Sequence, residues 1–180
     1  MKKLISVLLM AMFMSFAFSE GLNGFWGVNF GESKDAVIKM MENRGWKESK
    51  SSNNEITFSM SNAKYAGLPA GDISFTFFNG KFSSAVVIIS LSPVDKIEDV
   101  VEALIDKYSL SLQKKERIYT DGIPGEIKMY LSSNGNSFGY TVLTVGKNGI
   151  AQLSFLCTES ILNETEVEKE KKREHMKDDL

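Results

Sequence analysis

The chain contains one histidine and one cysteine. A nucleophile–histidine site needs an imidazole held within hydrogen-bond reach of the nucleophile. His175 stands in a charged C-terminal stretch, and residues 21–158 contain no His, so Ser-His-acid and Cys-His catalysis have no base there. One His and one Cys cannot make a Cys/His zinc site, and one Cys cannot make an intramolecular disulfide. The remaining candidates are a Ser-Lys pair, the carboxylates Glu98 and Glu102 at i,i+4, and oxygen donors at Asp72 and Asp121-Gly122. Glutamates at that spacing read first as a solvated helix face. No D-x-D-x-D-G loop, P-loop or helix-opening G-x-G-x-x-G is present. The expectation is a protein that is not an enzyme and that uses no cofactor and no metal. Cys157, with Leu153 and Phe155 on its face of an alternating strand, reads as a small core residue.

The elements that would position any site come from hydrophobic periodicity. Ser33 reads as an N-cap, Val37, Met40 and Met41 as one helical face, and Gly45 as the residue that ends a helix over Ser33–Arg44. Glu55–Met60 then alternates apolar and polar residues, as does Asp72–Phe78. Asn79-Gly80 is a type I′ hairpin signal, and Lys81–Leu91 is the returning strand. Its run Val86-Val87-Ile88-Ile89 reads as a central strand buried on both faces. With Ser92 or Asp95 as N-cap, Ile97, Val100, Val101, Leu104, Ile105 and Tyr108 form one apolar helical stripe. Strands are expected at Leu112–Tyr119, Glu126–Leu131, Ser137–Val145 and Ile150–Cys157, joined by Asp121–Gly125, Ser133–Asn136 and Lys147–Gly149.

These elements define an α+β fold with two helices on one face of a mostly antiparallel sheet, because short links cannot make parallel crossovers. Helix followed by a meander occurs in 27–91 and again in 92–158. Asn79-Gly80 and Asn148-Gly149 lie 69 residues apart, consistent with a repeat. Tandem duplication and a single undivided domain both remain readings of the body, residues 20–158.

The ends differ from the body. Met1-Lys2-Lys3, an apolar run from Leu4 to Phe18, and the small residues Ala17 and Ser19 read as a signal peptide over 1–19. About 15 apolar residues extend roughly 22 Å as a helix, short of the ~30 Å hydrocarbon core. A periplasmic or secreted location is therefore expected, with membrane contact only indirect. Residues 159–180 hold eight acidic and five basic side chains, and read as a charged helical or disordered tail. With 43% hydrophobic and 24% charged residues and a formal charge of -2, the chain has an ordinary globular composition with no overall drive toward nucleic acid. Lys114-Lys115-Glu116-Arg117 is short and interrupted by Glu116, so no nucleic-acid partner is expected.

A short helix introduced by Gly-Val-x-Phe-Gly-x-Ser-x-x-x-Val (Gly27 to Val37), followed by hairpins in an exported chain, resembles a group of small envelope modules. Their types are the outer-membrane assembly lipoprotein BamE and β-lactamase inhibitor protein. The resemblance implies a non-catalytic, protein-binding role in the bacterial cell envelope. This chain departs from the lipoprotein pattern in having no Cys near the cleavage site to carry lipid. Alternation places Phe78 on the strand face opposite Phe75 and Phe77. The expected binding surface for an envelope or extracellular protein is the sheet face bearing Phe78, joined by Trp46 and Tyr65 as exposed aromatics. The other reading is a carrier holding a small, lipid-like apolar ligand between sheet and helices, beside Met40, Met41 and the Phe side chains.

Overall fold

The computed structural model describes residues 21–92 and 96–158. The signal peptide over 1–19, its cleavage before Glu20, the tail over 159–180 and the Asp95 cap all lie outside the described residues.

A two-strand ribbon opens the fold, β1 (Gly24–Phe25) with β2 (Val28–Asn29), and leads into α1 (Lys34–Asn43). The Ser33 hydroxyl caps α1 by accepting from the Ala36 N–H at 3.3 Å. At the other end Gly45 takes φ +81°, its N–H donating to Glu42 O at 2.9 Å while Trp46 N–H donates to Met41 O at 3.1 Å. This Schellman turn ends the helix and folds the chain back at Trp46. The strands β3 (Lys47–Ser51), β4 (Glu55–Ser59), β5 (Lys64–Tyr65), β6 (Leu68–Phe78) and β7 (Lys81–Leu91) follow. After α2 (Lys96–Tyr108) come β8 (Ser111–Thr120), β9 (Ile123–Leu131), β10 (Ser137–Val145) and β11 (Asn148–Leu156). The result is an α+β fold.

Every strand pairing is antiparallel. The main sheet runs β3-β4-β6-β7-β11-β10-β9-β8, with β5 paired to β6 off this path. Each half therefore ends on an inner strand, and the two last strands, β7 and β11, meet at the centre with Val87 opposite Leu153.

Register sorts the side chains into two faces. Residues directly opposite share a face, which puts Ile56, Phe75, Ala85, Phe155, Phe138 and Tyr130 in one cross-sheet row. All are buried, and all belong to the cluster that also holds Val37 and Met41 of α1 and Ile97 and Val101 of α2. Rings continue this core face: Phe58 lies 5.8 Å from Phe75, Phe75 5.7 Å from Phe25, Phe25 5.0 Å from Phe155, and Phe155 5.3 Å from Phe138. Burying each such ring contributes about 1.5–3 kcal/mol.

Three sequence expectations are corrected. The Asn79-Gly80 hairpin forms as expected, with φ of 50° and 74°. Asn148-Gly149 does not turn: both residues are already in β11, opposite Val145 and Thr144, because Gly146 supplies the positive φ (62°) two residues earlier. The 69-residue spacing of Asn-Gly pairs is thus not a spacing of turns. Within Val86–Ile89 only Val87 and Ile89 are buried, while Val86 and Ile88 are half-buried on the other face. Cys157 falls just past β11 and is half-buried rather than in the core, its N–H donating to Ser83 O at 2.8 Å.

Candidate functional site: the outer face of the sheet

The face opposite the core divides by chemistry. Across β4, β6 and the first part of β7 it is hydroxylic: Thr57 pairs with Ser74, their side-chain oxygens 3.0 Å apart, and Thr76 with Ser84. Lys50, Glu55 and Asp72 border this half, around an open cleft of about 510 Å³ that ends at Ile88.

Beyond Ile88 the same face becomes aliphatic. One row runs Ser90, Ile150, Leu143, Gly125, Ile118 across β7, β11, β10, β9 and β8. The next runs Ile88, Gln152, Thr141, Ile127, Glu116, and the third Val86, Ser154, Gly139, Met129, Lys114. Two glycines keep the patch flat. A Cβ on Gly125 would stand 2.6 Å from Leu143 Cδ2 and 3.2 Å from Ile118 Cγ1, so those side chains close over the bare backbone. A Cβ on Gly139 would meet Met129 Sδ at 3.3 Å. Ile150 is 54% exposed and Val145, at the end of the same face, 63%. Gln152 and Thr141 interrupt this apolar strip in its central row, and Ser90, Ser154, Lys114 and Glu116 border it.

Of the aromatics expected on this face, Phe78 alone lies there, half-buried at the hairpin end of β6 opposite Lys81. Thr76 and Ser84 separate it from the aliphatic strip. Trp46 and Tyr65 correct the expectation, being only 3% and 6% exposed within the core cluster. The Schellman turn carries Trp46 inward to within 6.0 Å of the Trp26 ring. The β5–β6 pairing sets Tyr65 at 5.9 Å from Phe25 and 6.4 Å from Phe155. Burial raises the Tyr65 hydroxyl far above the ordinary tyrosine range. The residues that form the strip, Ile88, Ile118, Ile127, Leu143 and Ile150, were visible in sequence only as strand alternation. The apolar run Val86–Ile89 was the one signal that a second face also carries apolar side chains.

The core face has a charged counterpart in the second half. In β9, Tyr130 continues the aromatic row, but Lys128 and Glu126 occupy the next two positions on that face. Glu126 accepts from Lys128 at 2.9 Å and Lys115 at 3.0 Å, and Lys128 Nζ lies 5.5 Å from the Tyr140 ring centre. Burial disfavours the Glu126 carboxylate, yet the hydrogen bonds and charges of Lys128 and Lys115 outweigh it and hold its pKa below the usual value. Desolvation, reinforced by the Glu98 charge, pushes the Tyr140 hydroxyl up to about 12. Glu98 and Glu102 are both exposed, as a solvated helix surface should be. Among the described residues, no group of three His, Cys, Asp or Glu side chains is placed to hold a metal ion.

No protein-family model matches this chain, and comparison with curated proteins finds no match.

Proposed function

We propose that this is an exported, non-catalytic protein-binding module of the bacterial cell envelope, and that its binding surface is the aliphatic half of the outer sheet face. The observation that carries this reading is the strip Ile88, Ile127, Leu143, Ile150 and Ile118, flattened over Gly125, with Gln152 and Thr141 among its apolar side chains. In this reading both helices lie against the core face, which leaves the outer face open to a partner. In the main sheet α1 is followed by β3, β4, β6 and β7, and α2 by β8, β9, β10 and β11, while β5, off that path, has no counterpart after α2 among the described residues. The mirrored order, with β7 beside β11 and the first strands β3 and β8 at the rims, supports a duplicated unit. A broad antiparallel sheet with one open face also fits the envelope modules that Gly27–Val37 resembles.

The carrier reading has less support. Met41 is fully buried in the same core cluster as Phe58, Phe75, Phe25, Phe155 and Phe138, and Met40 packs against that cluster, so these side chains already have partners in the core.

Site-specific photo-crosslinking tests the proposal. A photoreactive side chain at Gln152 or Thr141, in the middle of the strip, should give an adduct with an envelope protein in cells. The same group at Lys39, exposed on α1, should give none. Adducts from Lys39 with none from the sheet positions would overturn the assignment.

A further inference from the structure

Among the described residues strand β8 ends the sheet, with β9 as its single partner. Nine of its ten residues are exposed, Ile118 alone being half-buried. An edge strand pairs through alternate residues, so from Lys114 to Thr120, beyond the bulge between Leu112 and Lys114, every second N–H and C=O of β8 points away from β9. Register also rearranges the basic cluster that looked broken in sequence. Lys114 and Glu116 face the outer side, where they pair with each other at 2.6 Å. Leu112, Lys115, Arg117 and Tyr119 face the core side, opposite Tyr130, Lys128, Glu126 and Pro124. Glu116 therefore does not interrupt the cationic row, since it sits on the other face.

This row is an alternation of apolar, cationic, cationic and aromatic groups. Leu112 is 52% exposed and Tyr119 77%. Arg117 lies directly opposite Glu126, but both Glu126 oxygens are taken, Oε2 by Lys115 and Oε1 by Lys128. Among the described residues Arg117 has no ion-pair partner. Arg117 lines a cleft of about 320 Å³ with Tyr119, Pro124 and Glu126, and with Ile118 and Gly125 of the aliphatic strip. Counting Lys115, Arg117 and Lys128 against Glu126 and Glu98, whose charge also acts on Lys128, the local balance is three cations to two anions.

We propose that β8 is a strand-addition site for an extended acidic peptide. The peptide would pair its backbone with the free edge and place two acidic side chains, at alternate positions, against Lys115 and Arg117. Flanking apolar side chains would rest on Leu112 and Tyr119. Backbone pairing supplies affinity and the alternating side chains supply selectivity. The same charges disfavour a second copy of the chain, because β8 against β8 sets Lys115 and Arg117 beside like charges. A nucleic acid would find phosphate contacts at Lys115 and Arg117, but the edge offers it no ladder partner. The row lies on the opposite side of β8 from the aliphatic strip, which β8 joins through Ile118.

The test uses the full chain and synthetic peptides of about ten residues, the length of an ordinary strand. One carries glutamate at two alternate central positions with leucine flanks, a second carries lysine there, and a third is the glutamate peptide N-methylated at alternate backbone nitrogens. The proposal predicts binding of the first alone, weakened about tenfold or more by Arg117→Glu. Arg117→Lys should retain most of the binding. Equal binding of the N-methylated peptide would overturn strand addition, leaving only charge attraction. Preference for single-stranded oligothymidylate over the glutamate peptide would overturn the choice of partner. Among the described residues Arg117 is exposed and has no ion pair, so Arg117→Lys should unfold with an unchanged midpoint. Arg117→Glu, which sets a like charge opposite Glu126, should lower the midpoint only slightly and stay folded in the assay, which separates lost binding from lost fold.

Discussion

The carboxamide of Asn136 fastens Leu22 to the end of the sheet: its Nδ2 donates to Leu22 O at 2.7 Å, while its Oδ1 accepts from the Thr158 N–H at 3.2 Å. One side chain thus joins the first and last parts of the described body. Leu22 is fully buried, and its N–H donates to Ser132 Oγ at 2.9 Å, so the segment before β1 is a component of the fold. Asn136→Ala should lower stability by about 1–3 kcal/mol. Urea unfolding should report this as a lower midpoint at unchanged slope.

Trp46→Ala should behave as a core truncation. The ring is 3% exposed and packs near Trp26, so its removal should cost about 3–5 kcal/mol. Calorimetry should show a marked drop in Tm, and any loss of partner binding by this variant should follow its loss of fold.

Gly125→Ala should destabilise the chain although it adds only a methyl group. The new Cβ would stand 2.5 Å from Val142 O and 2.6 Å from Leu143 Cδ2. Overpacking of this kind costs about 1–3 kcal/mol. Thermal unfolding of Gly125→Ala beside Ile127→Ala, a half-buried position on the same strand, would show the larger loss at the glycine.

Alkaline pH should weaken the fold through buried tyrosines. Tyr140 is pushed from 10.0 up to about 12 by burial and by Glu98, and burial also raises Tyr65 and Tyr130. Between pH 10 and 12 the unfolded chain has released the Tyr140 proton while the folded chain still holds it. Stability is therefore full below pH 10 and falls as pH rises toward 12. Unfolding followed across this range should show a falling midpoint, and Tyr140→Phe should reduce the slope.

Much of the architecture was legible because it rests on local chemistry. Ser33 and Gly45 bound α1, Asn79-Gly80 makes the β6–β7 turn, and the α2 stripe buries Ile97 and Val101. Strand β3 was missed because Lys47–Ser51 is exposed at every position and has no apolar alternation to reveal it. The site was less legible than the fold. Exposure of Trp46 and Tyr65 depended on a helix-end turn and a two-residue pairing, β5 with β6, whose consequences are tertiary. The strip on the outer face arises only when Ile88, Ile127, Leu143 and Ile150 from four strands are set in register, and no window of sequence contains that information.

The most direct test of the binding surface is partner capture by the double variant Ile127→Glu, Leu143→Glu compared with the unaltered protein. Both side chains are half-buried on the outer face, and photo-crosslinking through Gln152 supplies the readout. The account predicts that the crosslinked adduct disappears in the variant while circular dichroism and solubility stay those of the parent. An undiminished adduct from a folded variant would contradict it.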